Sequence, residues 1–261
     1  MEFNSSKIIN DVSNPPPFAE FEASMMTFVA GYDGALDLKQ IFPLIDIDSK
    51  YDGVYDTMPV GEDGTIVSKG FGDVRVGAIR RGRSTKCFRN IISIDISVLG
   101  VNVNIKVTGT NYLQGSGAKS PAHADYAAKL LIWNLNLLGS DVTLTETHIV
   151  NATYNMNIKT QLNMNATATL LANYNGMHVV YNNAINQPIV AVKNASNAEE
   201  ILSRRSTRSK KGKIPSVKLT IRTSGKIMLS GANIDDLEDI YVNFMQWLSI
   251  NLPKVKISHT I

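Results

Sequence analysis

Two short stretches of this sequence alternate anion-binding groups with packing groups. Over residues 101–108, Asn102, Asn104, Lys106 and Thr108 alternate with Val101, Val103, Ile105 and Val107. Over residues 217–223, Lys218, Thr220 and Arg222 alternate with Val217, Leu219 and Ile221. A period of two sends such sets to opposite faces of a strand. One face is then apolar, and the other offers amides, hydroxyls and cations in a row. That row can hydrogen-bond a ligand and neutralise an anion. A half-solvated sheet that binds nothing would carry the same pattern, and both readings stay open at this level.

Catalysis has little to work with. The four histidines, His123, His148, His178 and His259, are scattered, without H-x-x-x-H or paired-carboxylate spacing. His123 and Asp125 lie two apart on an expected helix and so face different ways. Cys87 is the only cysteine. It rules out an internal disulfide and a cysteine-built zinc site, and it suits a reducing compartment. Gly115-Ser116-Gly117 is better explained by a hairpin than by a phosphate loop. No enzymatic activity, metal or cofactor is expected.

The elements that must position these residues follow from pattern. A chain of 261 residues that is 44% apolar and 19% charged has ample core for one large domain or two small ones. Its formal charge of +3 permits an anionic partner without demanding one. No run approaches the ~20 apolar residues needed to span a bilayer, and no N-terminal run fits a signal peptide. Residues 1–20, with Pro15-Pro16-Pro17, read as a mobile tail. Residues 25–30 read as a strand, 37–45 as a short helix interrupted by Pro43, and 46–69 as a loop or insertion. Residues 88–98 and 101–108 read as consecutive strands. A long helix follows, with Ser120 as N-cap, Pro121 in its first turn, Gly139 at its end and an apolar stripe of Tyr126, Leu130, Trp133 and Leu137. The second half repeats the scheme. Residues 147–156 are strand-like, 158–174 are ambiguous, 177–182 and 189–192 are short strands, and 194–213 form a basic insertion. A hairpin turning at Gly225 then leads into a helix starting near Asn233. Its stripe is Leu237, Ile240, Tyr241, Phe244, Trp247 and Leu248, and Pro253 is expected to stop it. A unit that occurs twice implies a pseudo-symmetric chain, divided as 21–139 and 140–261.

Ser224-Gly225-Lys226-Ile227-Met228-Leu229-Ser230-Gly231-Ala232-Asn233, followed by Asp239-Ile240-Tyr241 and Phe244, resembles the second repeat of TATA-box-binding proteins. Ser116-Gly117-Ala118-Lys119-Ser120, with Tyr126-Ala127-Ala128-Lys129 and Gly139, is similar to the first. Leu36-Asp37-Leu38-Lys39-Gln40-Ile41 looks like the family's short helix. The fragments cover about half of the chain, in family order. The resemblance implies an α+β saddle, in which two repeats build one curved antiparallel sheet with the long helices on its convex face. The concave face would lie on the minor groove of A·T-rich duplex DNA, where such proteins drive apolar wedges between base steps. The expected DNA-binding residues are Asn104, Lys106 and Thr108 with Gln114 and Ser116 in repeat one, and Lys218, Thr220 and Arg222 with Met228 and Ser230 in repeat two. Met25, Thr27 and Val29, and His148 and Val150, would come from the first strands of the two repeats. Arg80, Arg81, Arg83, Lys119 and Lys226 are the expected phosphate contacts, and 204–213 is either a further clamp, a basic loop or a localisation signal.

The departures from the family carry their own chemistry. Two wedge phenylalanines are expected at Lys106 and Arg222. The other pair matches Phe88 and Tyr174. The hairpin over 109–116 reads as longer than the family's. Cations in place of wedges imply more salt dependence and a shallower bend. The resemblance further implies a B-type general transcription factor and RNA polymerase as partners. The rival expectation is a protein-interaction module whose concave face binds protein or a second copy. The Asn/Ile/Lys-rich composition fits an A·T-rich genome such as that of a large DNA virus, which would place the protein in a nucleus or a cytoplasmic viral factory.

Overall fold

The computed structural model describes residues 6–47, 64–77, 89–174, 177–182, 188–196, 199 and 215–257. The chain divides into two compact units, Met25–Ile149 and Met1–Ser24 with Val150–Ile261.

In the first unit, alternation does what the sequence requires of it. Strands β2 (Met25–Asp33), β3 (Thr65–Phe71), β4 (Val74–Gly77), β5 (Ile91–Val98), β6 (Val101–Thr108) and β7 (Tyr112–Ala118) pair antiparallel in the order β4-β3-β5-β6-β7-β2. Ile92, Ile94, Ile96, Val103, Ile105 and Val107 are fully buried on one face. Helix α2 (Pro121–Leu137) packs against that face, touching β2, β5, β6 and β7. Ser120 caps it by accepting the His123 N–H, and Pro121 opens it, as expected. The buried stripe runs instead through Ala124, Ala127, Ala128, Leu131 and Leu135, with Tyr126 and Leu130 beside it. Leu137 is 63% exposed. Small alanines bring the helix close to the sheet, so the centre of the contact is less bulky than a count of large residues predicts. The hairpin between β6 and β7 turns within residues 109–111, so it is shorter than the sequence reading proposed.

Helix α1 (Leu38–Leu44) keeps Pro43 inside it and starts on Asp37, whose carboxylate accepts the Lys39 and Gln40 N–H groups at 2.9 and 3.2 Å. Its other end is held by Lys69. The buried ammonium donates to the carbonyls of Phe42 (2.9 Å), Pro43 (3.2 Å) and Ile45, and lies over the Phe42 ring. A cation at a helix C-terminus answers both its orphan carbonyls and its dipole. Burial nevertheless lowers the Lys69 pKa, against the opposing pull of Asp46.

In the second unit, β1 (Lys7–Ile8), β8 (Thr143–Asn157), β9 (His178–Val180), β10 (Ile189–Asn194), β11 (Ser216–Ile221) and β12 (Lys226–Gly231) pair in the order β1-β8-β12-β11-β10-β9. Only β1 with β8 is parallel. The part of β8 up to Ile149 belongs to the first unit. Helix α3 (Met164–Leu171) fills the ambiguous stretch. It packs on helix α4 (Ile234–Val255), which lies against β11 and β12. All six residues of the expected α4 stripe are buried. Pro253 does not stop α4, which runs on to Val255, with Lys256 N–H bonding Leu252 at 2.9 Å.

Residues 6–24 are not a loose tail. Lys7 and Ile8 pair with Met156 and Asn157, and the Ser24 N–H donates to Thr153 at 2.7 Å. Between these ends Phe18 and Phe21 pack with Tyr154 and Tyr241. The Tyr241 hydroxyl donates to the Pro16 carbonyl at 2.6 Å. Phe18 and Phe21, with Ile9 and Ala23, bury apolar surface that anchors this polar segment. Residues 6–24 therefore form a strap on the second unit.

Candidate nucleic-acid interface

Strand register decides which expected residues share a surface. On the outer face of the first unit one cross-strand row runs Thr27, Ser116, Asn104, Asp95, Ser68. The next runs Val29, Gln114, Lys106, Ser93. Thr108 pairs with Tyr112 one step further. Met25 is 42% exposed at the start of β2. Gly117 makes the bulge that shifts the β2–β7 register between Met26 and Thr27, at φ 103°, a left-handed conformation that a side chain would strain.

Much of this face is already spent inside the chain. Asn104 is buried, and its amide donates to Asp95 Oδ1 and Ser93 Oγ, both at 3.0 Å. Asp95 Oδ2 accepts from the Ser68 hydroxyl at 2.6 Å and from Arg75 Nη2 at 3.1 Å. The result is a buried carboxylate, neutralised by a guanidinium that reaches over from β4. The Thr108 hydroxyl donates to the Tyr112 carbonyl at 2.9 Å. Lys106 and Lys119 are half-buried, and each has an interaction within the chain. Thr147 reaches Asp125 on α2 at 3.5 Å, so its neighbour His148 turns to the other side of β8. There His148 Nε2 lies 3.5 Å from Glu146.

The outer face of the second unit has a different character. Lys218 is exposed and pairs with Ser230 on one side and Val192 on the other, and Ser230 pairs with Thr153. Thr220 lies between Met228 and Val190, buried, with no partner for its hydroxyl. Met228 pairs with Asn155. Arg222 and Lys226 are exposed at the hairpin tip, where the Arg222 N–H donates to the Lys226 carbonyl at 2.9 Å. Gly225 makes this turn at φ 76°, with the Thr160 carbonyl only 2.4 Å from where a Cβ would sit. Among the described residues, no ion pair engages Lys218, Arg222 or Lys226.

Register also revises two expectations and adds outer-face residues on β8. Val150 is half-buried; beyond it Ala152 and Tyr154 are buried on the packed side of β8, and Thr153 and Asn155 take the outer one. Tyr174 is no outer-face wedge: its hydroxyl donates to Asn243 on α4 at 3.0 Å and its ring meets Trp247. Lys106 and Arg222 are not equivalent. Lys106 pairs with Gln114, two before Ser116-Gly117-Ala118, and Thr220 pairs with Met228, two before Ser230-Gly231-Ala232. Counted from that shared tripeptide, Lys106 answers to Thr220, and Arg222 to Thr108. Arg80, Arg81, Arg83 and Phe88, and the basic segment 204–213, lie outside the described residues.

No protein-family model and no curated protein matches the chain. Among solved structures, TBP from Methanococcus jannaschii aligns with a TM-score of 0.52 over 88% of this chain and 97% of its own, at 14% identity. The fold is TBP-like. A TBP-like backbone at that identity fixes the path of the strands and leaves the chemistry of the outer faces to this chain's own residues. Among the described residues no group of three or more His, Cys, Asp or Glu side chains could hold a metal ion. No helix among them is long and apolar enough to cross a membrane.

Proposed function

We propose that this protein is a DNA-binding transcription initiation factor that recognises A·T-rich promoter DNA through the minor groove. The observation that carries the reading is the outer face of the second unit. Hydroxyls and amides (Thr153, Asn155, Ser230) stand beside apolar Met228 and Val190, with Lys218, Arg222 and Lys226 around them. Minor-groove proteins combine such groups: donors and acceptors for base edges, apolar surface for the groove floor and cations for phosphates. The TBP-like fold supports the same reading. The two units then act as repeats, and a B-type general transcription factor and RNA polymerase are the partners such a factor would recruit. Met25, Thr27, Gln114, Ser116 and His148 are the first unit's contributions to contact.

Fluorescence anisotropy on labelled A·T-rich and G·C-rich duplexes, across about 50–200 mM salt, tests this. Tighter binding to the A·T duplex is expected. Equal binding to both that collapses with salt would replace recognition by a sequence-blind electrostatic contact.

A second reading is favoured by the first unit. Its Ser68–Arg75–Asp95–Asn104 cluster pairs its charges internally and places a carboxylate on the face that would meet DNA. A protein-interaction or self-association module would have such a face. A sizing column run with and without duplex separates the two: a dimer that persists in the presence of DNA supports the module.

A further inference from the structure

We infer that the phosphate grip of this interface resides in the β11–β12 hairpin of the second unit, and that the first unit's hairpin meets the duplex through uncharged groups. The inference rests on the DNA-binding reading and adds a direction to it.

The argument is a comparison at matched register. Lys218, Arg222 and Lys226 correspond, counted from the Ser-Gly-Ala that ends each hairpin, to Asn104, Thr108 and Tyr112. Three cations face three neutral residues. The opposite exchange is smaller, one cation at Lys106 against Thr220, and Lys106 already has an interaction within the chain. Among the described residues, Arg75 on this face is bound to Asp95, so that pair offers a phosphate nothing.

Arg222 and Lys226 also stand across the hairpin from one another. Like charges placed opposite each other destabilise a sheet. Among the described residues no carboxylate pairs with either, so the fold gains nothing from holding them there. A bound phosphate would relieve the repulsion. Both side chains are exposed, and the turn fixed by Gly225 keeps them at one end of the strands.

The test is the salt slope of binding to the A·T-rich duplex. Each phosphate contact contributes about 0.9 to the slope of log K against log salt. The triple variant K218Q/R222Q/K226Q should lower the slope by about 3 and weaken binding to A·T and G·C duplexes alike. K106Q should leave the slope unchanged. The charge-keeping variant K218R/K226R should retain the wild-type slope, which separates loss of charge from damage to the hairpin. An unchanged slope in the triple variant, with wild-type protein binding normally, overturns the assignment and leaves DNA binding standing. A K106Q loss as large per charge as the hairpin's does the same. Wild-type protein that binds neither duplex overturns both.

Discussion

The two hairpins of this chain share a register and differ in what they do with charge. Beside β6–β7 the polar residues face one another: Asn104 of β6, Ser93 and Asp95 of β5, Ser68 of β3 and Arg75 of β4 form a network that leaves no ionic group of the cluster for a ligand. In β11–β12 the cations stand open, and the one buried polar side chain, Thr220, has no partner. The same strand geometry therefore supports two opposite uses. A closed network confers order at the cost of reach; an open row confers reach and adds nothing to stability. A charged residue on a sheet face is evidence of a ligand only when the fold does not need it.

The largest effect expected from this contrast is on stability in the first unit. Asp95→Ala removes the partner of a guanidinium that is itself buried. Breaking a buried pair from one side costs about 3–5 kcal/mol, because it strands the other charge. Chemical denaturation should show that loss for Asp95→Ala, and Asp95→Leu combined with Arg75→Met should restore much of it. If Asp95→Ala unfolds at the wild-type midpoint, the network is incidental and the first face is as available to ligand as the second.

What the sequence disclosed follows the same division. Alternation in residues 101–108 and 217–221, the caps at Ser120 and Asn233, and the α4 stripe were legible, because each depends on neighbours a few residues away. The strap was not. Phe18 and Phe21 find Tyr154 and Tyr241 more than a hundred residues on, and nothing local marks a proline-rich segment as having such partners. The match of Lys106 to Arg222 failed because two Ser-Gly pairs compete for alignment. Ser224-Gly225 is a turn, whereas Ser116-Gly117 lies within a return strand. Thr153 and Asn155 escaped notice for a related reason: alternation gives the faces of β8 only once one pairing, such as Thr153 with Ser230, is known.

The strap also couples the second unit to alkaline pH. The Tyr241 hydroxyl is buried against the Pro16 carbonyl, and burial first, with the negative charge of Glu20 second, pushes its pKa up to about 12. A tyrosine in the unfolded chain titrates near 10. The native state thus holds its proton more tightly than the unfolded state does. The stabilisation is fully present below about pH 10 and is lost as pH climbs towards about 12. Tyr241→Phe should cost about 0.5–1.5 kcal/mol at neutral pH through the lost hydrogen bond. It should also flatten the fall in stability above pH 10. A wild-type and variant that lose stability in parallel through that range would mean that the strap does not shield Tyr241 in solution.

The smallest expected effect concerns the open cations, and it sharpens the comparison from the other side. If Arg222 and Lys226 serve only a ligand, Arg222→Gln should leave the free protein's stability within about 0.5 kcal/mol of wild type, as for an exposed site without partners. The sign of what remains is informative. Relief of repulsion across the hairpin tip would make the variant slightly more stable at low salt, with the difference fading as salt screens the pair. Denaturation midpoints at low and high salt measure both. A clear destabilisation that salt leaves intact would assign Arg222 to the fold. The second hairpin would then resemble the first, with its charge in the service of structure.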